Sequence, residues 1–196
     1  KTLLASFDSQ VDVKKNPLPD SPKLKRKKDD PLALRQELYR VTGVDLTAIP
    51  GLQAISAYTL LAEIGRDVCA FPSAKHFASW LGLCPNNRVS GGRILSAHTT
   101  PVANRAAGAL RMAATTLLRS QTALGDYYRR MRARIGIPQA VTATAHKLAR
   151  IIYHLLKTKT PFSQTHAAKN EQLCKQRRHT RLTLQAKSLG FALVPL

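Results

Sequence analysis

From Pro138 to about Lys157, apolar residues recur at helical spacing: Val141, Ala145, Leu148, Ile152 and Leu155 fall on one face. Such a stripe is stable only when other elements cover it, and the chain supplies several. Pro101 opens an Ala-rich segment to about Arg119 whose stripe is Val102, Ala106, Ala109, Ala113 and Leu117, small enough for close helix packing. Asp30-Pro31 starts a helix with Leu34, Leu38 and Val41 on one face, closed by Gly43. Ala54 to Ile64 turns Ala57, Leu60, Leu61 and Ile64 inward, and Gly65 stops it. Ser73 caps a further helix whose apolar face is Phe77, Trp80 and Leu81. Another runs from Thr122 to about Ile135.

These segments predict a mostly α fold with little strand pattern and no internal repeat. Residues 31–160 form a compact helical domain, with a helix-hairpin-helix at about 45–66. Residues 1–13 place Leu3, Leu4, Phe7 and Val11 at helical spacing, as the end of a coiled-coil-like helix. Residues 14–30, with Pro17, Pro19, Pro22 and the run Lys23–Lys28, read as an extended basic linker. Residues 161–196 form a basic tail in which a helix is expected over Lys169–Lys187.

Charge narrows the partner. The chain holds 31 Lys and Arg against 11 Asp and Glu, a formal net charge of +20. Self-repulsion on that scale calls for a polyanion, and nucleic acid is the expected one. No stretch has the roughly 18 apolar residues of a membrane span, so no membrane partner is expected. The chain begins without Met and without a signal-peptide pattern, which suggests a piece of something longer. Cys69, Cys84 and Cys174 have no CxxC spacing and read as reduced, half-buried residues rather than disulfides or zinc ligands.

The polar stretch Leu83–Arg93 separates two apolar helical segments. Ser90 precedes Gly91 and Gly92 and lies between Arg88 and Arg93. Glycines let a backbone approach a phosphate and offer N–H donors, and arginines fork onto its oxygens. Arg105 and Arg111 are candidates to join them from the next helix. On chemistry alone a Ser-Gly-Gly is more often a turn than a nucleophile. No general base is evident, and His98, the nearest histidine, reads as a solvated loop residue.

Pro50-Gly51-Leu52-Gln53 resembles the turn of a helix-hairpin-helix, whose N–H groups face a phosphate without reading sequence; the alternative is an ordinary helix–helix turn. Lys147, Arg150, His154 and Lys157 make a cationic ridge three or four residues apart, and Lys147 and Arg150 are weaker candidates for contacting a nucleic-acid backbone. Between Leu46 and Lys169 the only acids are Glu63, Asp67 and Asp126, too few for a two-metal site. His76, His146, His154, His166 and His179 lack metal-ligand spacing, so no metal or other cofactor is expected in this chain. Tyr127-Tyr128 invites a tyrosine-recombinase reading, but an aromatic pair on a helix is more often core and interface.

Four stretches taken together are similar to one family: Leu38–Leu46, Phe77–Asn87, Ser90-Gly91-Gly92 and Thr142–Arg150, with Leu189–Pro195 resembling its tail. They resemble the C-terminal serine domain of bridge-RNA-guided bacterial insertion-sequence transposases, over roughly residues 30–160. The resemblance implies DNA transposition and recombination, with Ser90 as the nucleophile that becomes linked to a DNA 5′ end. It implies a guide RNA, a homo-oligomer in the full-length protein and a bacterial cytoplasmic setting at the nucleoid. It also implies an N-terminal RuvC-like domain with a DEDD acidic set and Mg²⁺, which this sequence lacks. Alone, the chain is expected to bind nucleic acid without cleaving it. A non-catalytic helix-hairpin-helix module or transposase remnant is the alternative.

Overall fold

The computed structural model describes residues 2–18, 31–65, 68–163 and 165–192. Residues 19–30 of the expected 14–30 linker, the reading of Asp67 and the final residues 193–196 lie outside them. The backbone divides into two units, Lys1–Phe162 and Ser163–Leu196. Among the described residues the regular structure of the first is helical apart from one small two-stranded sheet.

Helix α1 (Thr2–Ala5) is a single turn, not the longer helix that the spacing over 1–13 predicts. Arg40 supplies the reason. Its guanidinium donates to the Leu4 and Phe7 carbonyls at 2.8 and 3.1 Å and to Ser9 Oγ at 2.7 Å. Backbone carbonyls that a continued helix would use are thereby turned toward helix α2 (Pro31–Thr42). Leu4 is buried against the core as its spacing suggests.

Gly43 ends α2 at φ +74°, its N–H bonded to Tyr39 O. Asp45 then caps a 3-10 turn, Leu46–Ala48, through Thr47 N. The same carboxylate holds Arg35 of α2, Nη2 to Oδ2 at 2.5 Å, and Arg35 is 5% exposed. Helix α3 (Ala54–Ile64) follows with its expected inner face buried at Ala57, Leu60 and Leu61.

Helix α4 (Ala74–Trp80) begins at the Ser73 cap, whose hydroxyl accepts from His76 N. Phe77 and Leu81 are fully buried, whereas Trp80 is 40% exposed, its ring centre 5.3 Å from that of Phe71 and its outer edge in solvent. Strands β1 (Arg88–Ser90) and β2 (Arg93–Ser96) form an antiparallel hairpin where the sequence suggests only a loop.

Helix α5 (Arg105–Thr116) starts four residues later than Pro101 predicts. Asn104 decides the start, because its side-chain oxygen accepts from the amides of Ala106 and Ala107. Val102 is consequently outside the helix. The buried alanines 106, 107, 113 and 114 let α5 lie close to α3 and α7. A 3-10 turn, Leu117–Arg119, leads to α6 (Ala123–Ile135), capped by Thr122.

Helix α7 (Ile137–Thr158) is the spine, about 33 Å long. It packs against α4, α5 and α6, burying Ala145, Leu148, Ile152 and Leu155 as the periodicity requires. Tyr153 adds a polar tie, donating its hydroxyl to Phe71 O at 2.9 Å. In the second unit, α8 (Thr165–Ser188) confirms a helix in the basic tail, and Gly190 closes it at φ +79°. No helix among the described residues is long and apolar enough to cross a membrane.

Candidate functional site

The Ser90 stretch is a limb with a built root. Gly82 ends α4 at φ +62°, and a Cβ there would lie 2.5 Å from Val102 Cγ2 and 2.9 Å from Thr100 O. The two ends of the limb therefore meet at Gly82, where only glycine fits. Arg111 reaches across from α5 and donates to Gly82 O at 3.4 Å. Leu83 is buried and its N–H bonds to Ala78 O. Beyond it, Pro85 pairs with Thr99 and Asn86 N donates to His98 O at 2.9 Å. Cys84 sits half-buried at this root, and burial raises its thiol pKa.

The limb ends in a two-residue turn. Gly91 and Gly92 have φ of +55° and +74°, the pair of positive values that a tight primed turn demands. Open space surrounds both, so backbone conformation rather than crowding selects glycine. Ser90 is the last residue of β1 and pairs directly with Arg93. Cross-strand partners share a face with Cβ atoms roughly 5 Å apart. Arg88 lies two residues back along the same strand, across from Ser96, and the register is irregular between it and Val89, so the pairing brings together Ser90 and Arg93. All three are exposed. Among the described residues no histidine or carboxylate hydrogen-bonds the Ser90 hydroxyl.

The other candidates have local duties. Arg105, 86% exposed at the start of α5, pairs with Glu63 of α3 at 3.0 Å. Arg111 is committed to the limb's root. The turn Pro50-Gly51-Leu52-Gln53 points partly inward: Leu52 is 4% exposed, and a Cβ on Gly51 would lie 2.7 Å from Ala113 O and 3.1 Å from the Leu117 side chain. Gly51 is thus a packing residue against α5. Gln53 stands exposed at the N-cap of α3 without a side-chain bond into the helix.

Further along the chain, Lys147 Nζ lies 4.0 Å from the centre of the Tyr127 ring, and Arg130 lies 5.8 Å from it. Burial raises the Tyr127 phenol pKa, with Arg130 opposing, and Tyr128 is 3% exposed in the core. Tyr127 packs against the two cations and Tyr128 packs into the core. Burial, then the charge of Arg150, lowers the pKa of His146 and favours its neutral form.

Four carboxylates are held singly by arginines: Asp45 by Arg35, Glu63 by Arg105, Asp126 by Arg129 and Glu37 by Arg40. Among the described residues no three His, Cys, Asp or Glu side chains gather for a metal.

Residues 45–129 match the model of the Transposase IS116/IS110/IS902 family. That segment runs from the Asp45 cap to α6 and contains the whole Ser90 limb. The chain is also 32% identical over 117 residues to the "Insertion element IS110 uncharacterized 43.6 kDa protein" of Streptomyces coelicolor. The match covers 59% of this chain and 29% of that protein, so the chain spans under a third of its relative. Lys147 and Arg150 lie outside the segment matched by the family model.

Sequence reasoning missed the hairpin itself. Its signal is present: Arg-Val-Ser and Arg-Ile-Leu-Ser separated by exactly two residues, both glycine, is a hairpin pattern.

Proposed function

We propose that this chain is a DNA-transposition domain in which Ser90 attacks a DNA phosphodiester. The observation that carries the reading is Ser90 at a Gly-Gly hairpin tip, directly across from Arg93 and two residues from Arg88. The family match, which spans this limb, supports it. In the proposed step the Ser90 Oγ–P bond forms and the P–O3′ bond breaks. The products are a 5′-phosphoserine and a free 3′-hydroxyl. Arg88 and Arg93 neutralise the phosphoryl oxygens, and the Gly91 and Gly92 amides lie at the same tip. The acceptor for the serine proton comes from outside the described residues. The isolated chain accordingly binds DNA without cleaving it.

The wider reading follows the resemblance. The RuvC-like partner domain supplies the acidic residues and its own Mg²⁺, the whole protein acts as a homo-oligomer with a guide RNA, and the reaction takes place in the bacterial cytoplasm at the nucleoid. The turn at Pro50–Gln53 orients α3 as part of a helix-hairpin-helix.

The test is covalent trapping on a nicked target duplex, with a RuvC-like domain supplied in trans. A protein–DNA adduct that forms with the native chain and disappears in Ser90→Ala is the expected result. An adduct that survives Ser90→Ala overturns the assignment. Ser90 is exposed and external to the core, so the substitution leaves folding intact and the readout reports chemistry.

A further inference from the structure

We propose that the seam between α6 and α7 is a second nucleic-acid surface, in which Tyr127 holds Lys147 and Arg130 in place to grip phosphodiesters together with Arg150. The inference deepens the DNA-handling reading and rests on it, but it concerns a surface that neither Ser90 nor its hairpin forms.

Three observations carry it. The first is an excess of like charge. The 36 residues 127–162 hold eight Lys and Arg and no Asp or Glu. Arg129 bonds Asp126 and two backbone carbonyls, Lys157 the Tyr153 hydroxyl at 3.2 Å and Lys159 the Thr42 carbonyl at 2.8 Å, none of which cancels the net charge beyond the single Asp126 pair. Like charges on two packed helices repel, and a polyanion removes that cost.

The second is preorganisation. A lysine ordinarily loses considerable side-chain entropy on binding a phosphate. Here Lys147 is already seated at 4.0 Å over an aromatic ring, so part of that loss precedes binding. Arg150 lies one turn on along α7, about 4.5 Å further by helical rise, and is exposed.

The third concerns apolar anchors. Among the described residues the exposed large hydrophobics within 127–162 are Ile135 and Ile137, at the α6–α7 turn and at least ten residues from Lys147 and Arg150. A membrane-surface helix needs such residues beside its cations. The seam therefore suits a phosphodiester backbone, which DNA and RNA share.

The experiment is a salt titration of binding, using the full chain and two probes: duplex DNA and a base-paired RNA hairpin. Removing one phosphate-neutralising side chain lowers the log–log salt slope by roughly 0.9 on duplex DNA. Lys147→Ala with Arg150→Ala is expected to lower the slope by about 1.8 on the nucleic acid the seam engages. A change on DNA alone, RNA alone or both supports the proposal and names the source. Slopes unchanged on both probes overturn it. Both side chains lie toward the surface, so the double variant folds. Tyr127→Phe, which keeps the ring, retains the native affinity, whereas Tyr127→Leu weakens it; equal affinities of the two remove Tyr127 from its positioning role. Arg88→Ala with Arg93→Ala separates the readings. If only the hairpin assignment fails, that variant keeps the native slope while the seam variant still shows the reduced one.

Discussion

Replacing Gly51 by Ala distinguishes a packing turn from a phosphate-binding one. The backbone there has φ +89°, which costs a non-glycine residue about 1–2 kcal/mol. The new Cβ would also lie 2.7 Å from Ala113 O and 3.1 Å from two Leu117 atoms. Ala113 O is helix backbone, so α3 and α5 must separate by several tenths of an ångström. Overpacking of that kind costs about 1–3 kcal/mol. The stiffer unfolded chain returns about 0.4–1 kcal/mol. The net loss is about 2–4 kcal/mol, read as a lower urea midpoint at unchanged m-value and a Tm drop of roughly 4–16 °C. Gly91→Ala is the internal control: φ is positive but nothing lies within 4 Å, so its strain stays in the hairpin and the global midpoint holds. A Gly51→Ala protein with a native midpoint but weakened DNA binding would refute the packing account and make the turn a phosphate contact.

Three further outcomes follow from the same geometry. Gly108, inside α5 with open space where a Cβ would go, is expected to gain about 1 kcal/mol on substitution by Ala, measured by thermal melting; a loss would show that something crowds that face. Asp45→Ala leaves Arg35 buried without its carboxylate and should cost about 3–5 kcal/mol in urea unfolding, while a change under about 1 kcal/mol would contradict the burial of the pair. His146 has a folded pKa below its ordinary 6.5, so the unfolded chain binds the extra proton as pH falls through that value. Stability contributed by the neutral ring is therefore complete above about pH 6.5 and lost below it; His146→Gln should flatten this part of the profile between about pH 8 and pH 5, and an unchanged profile would exclude His146 as its source.

The amino-acid order alone determined the helices and their inward faces. Ala57, Leu60 and Leu61, or Ala145, Leu148 and Ile152, are buried because a 3.6-residue period leaves only one side for them. The cap at Ser73 was equally readable, since the signal is a single hydroxyl beside the first turn. The resemblance brought out Ser90, and its local sequence already held the two arginines. Tertiary structure decided the rest, because it depends on partners distant in the chain. Arg40 stops α1 by taking carbonyls more than thirty residues away. Arg105 meets Glu63, and Gly51 meets Ala113, only when α3 lies on α5. Lys147 settles on Tyr127 only when α7 packs along α6. The Gly-Gly hairpin that sets Ser90 across from Arg93 has a local signal, but its anchorage does not: Gly82, Val102 and Arg111 meet at its root only when α4 and α5 are in place.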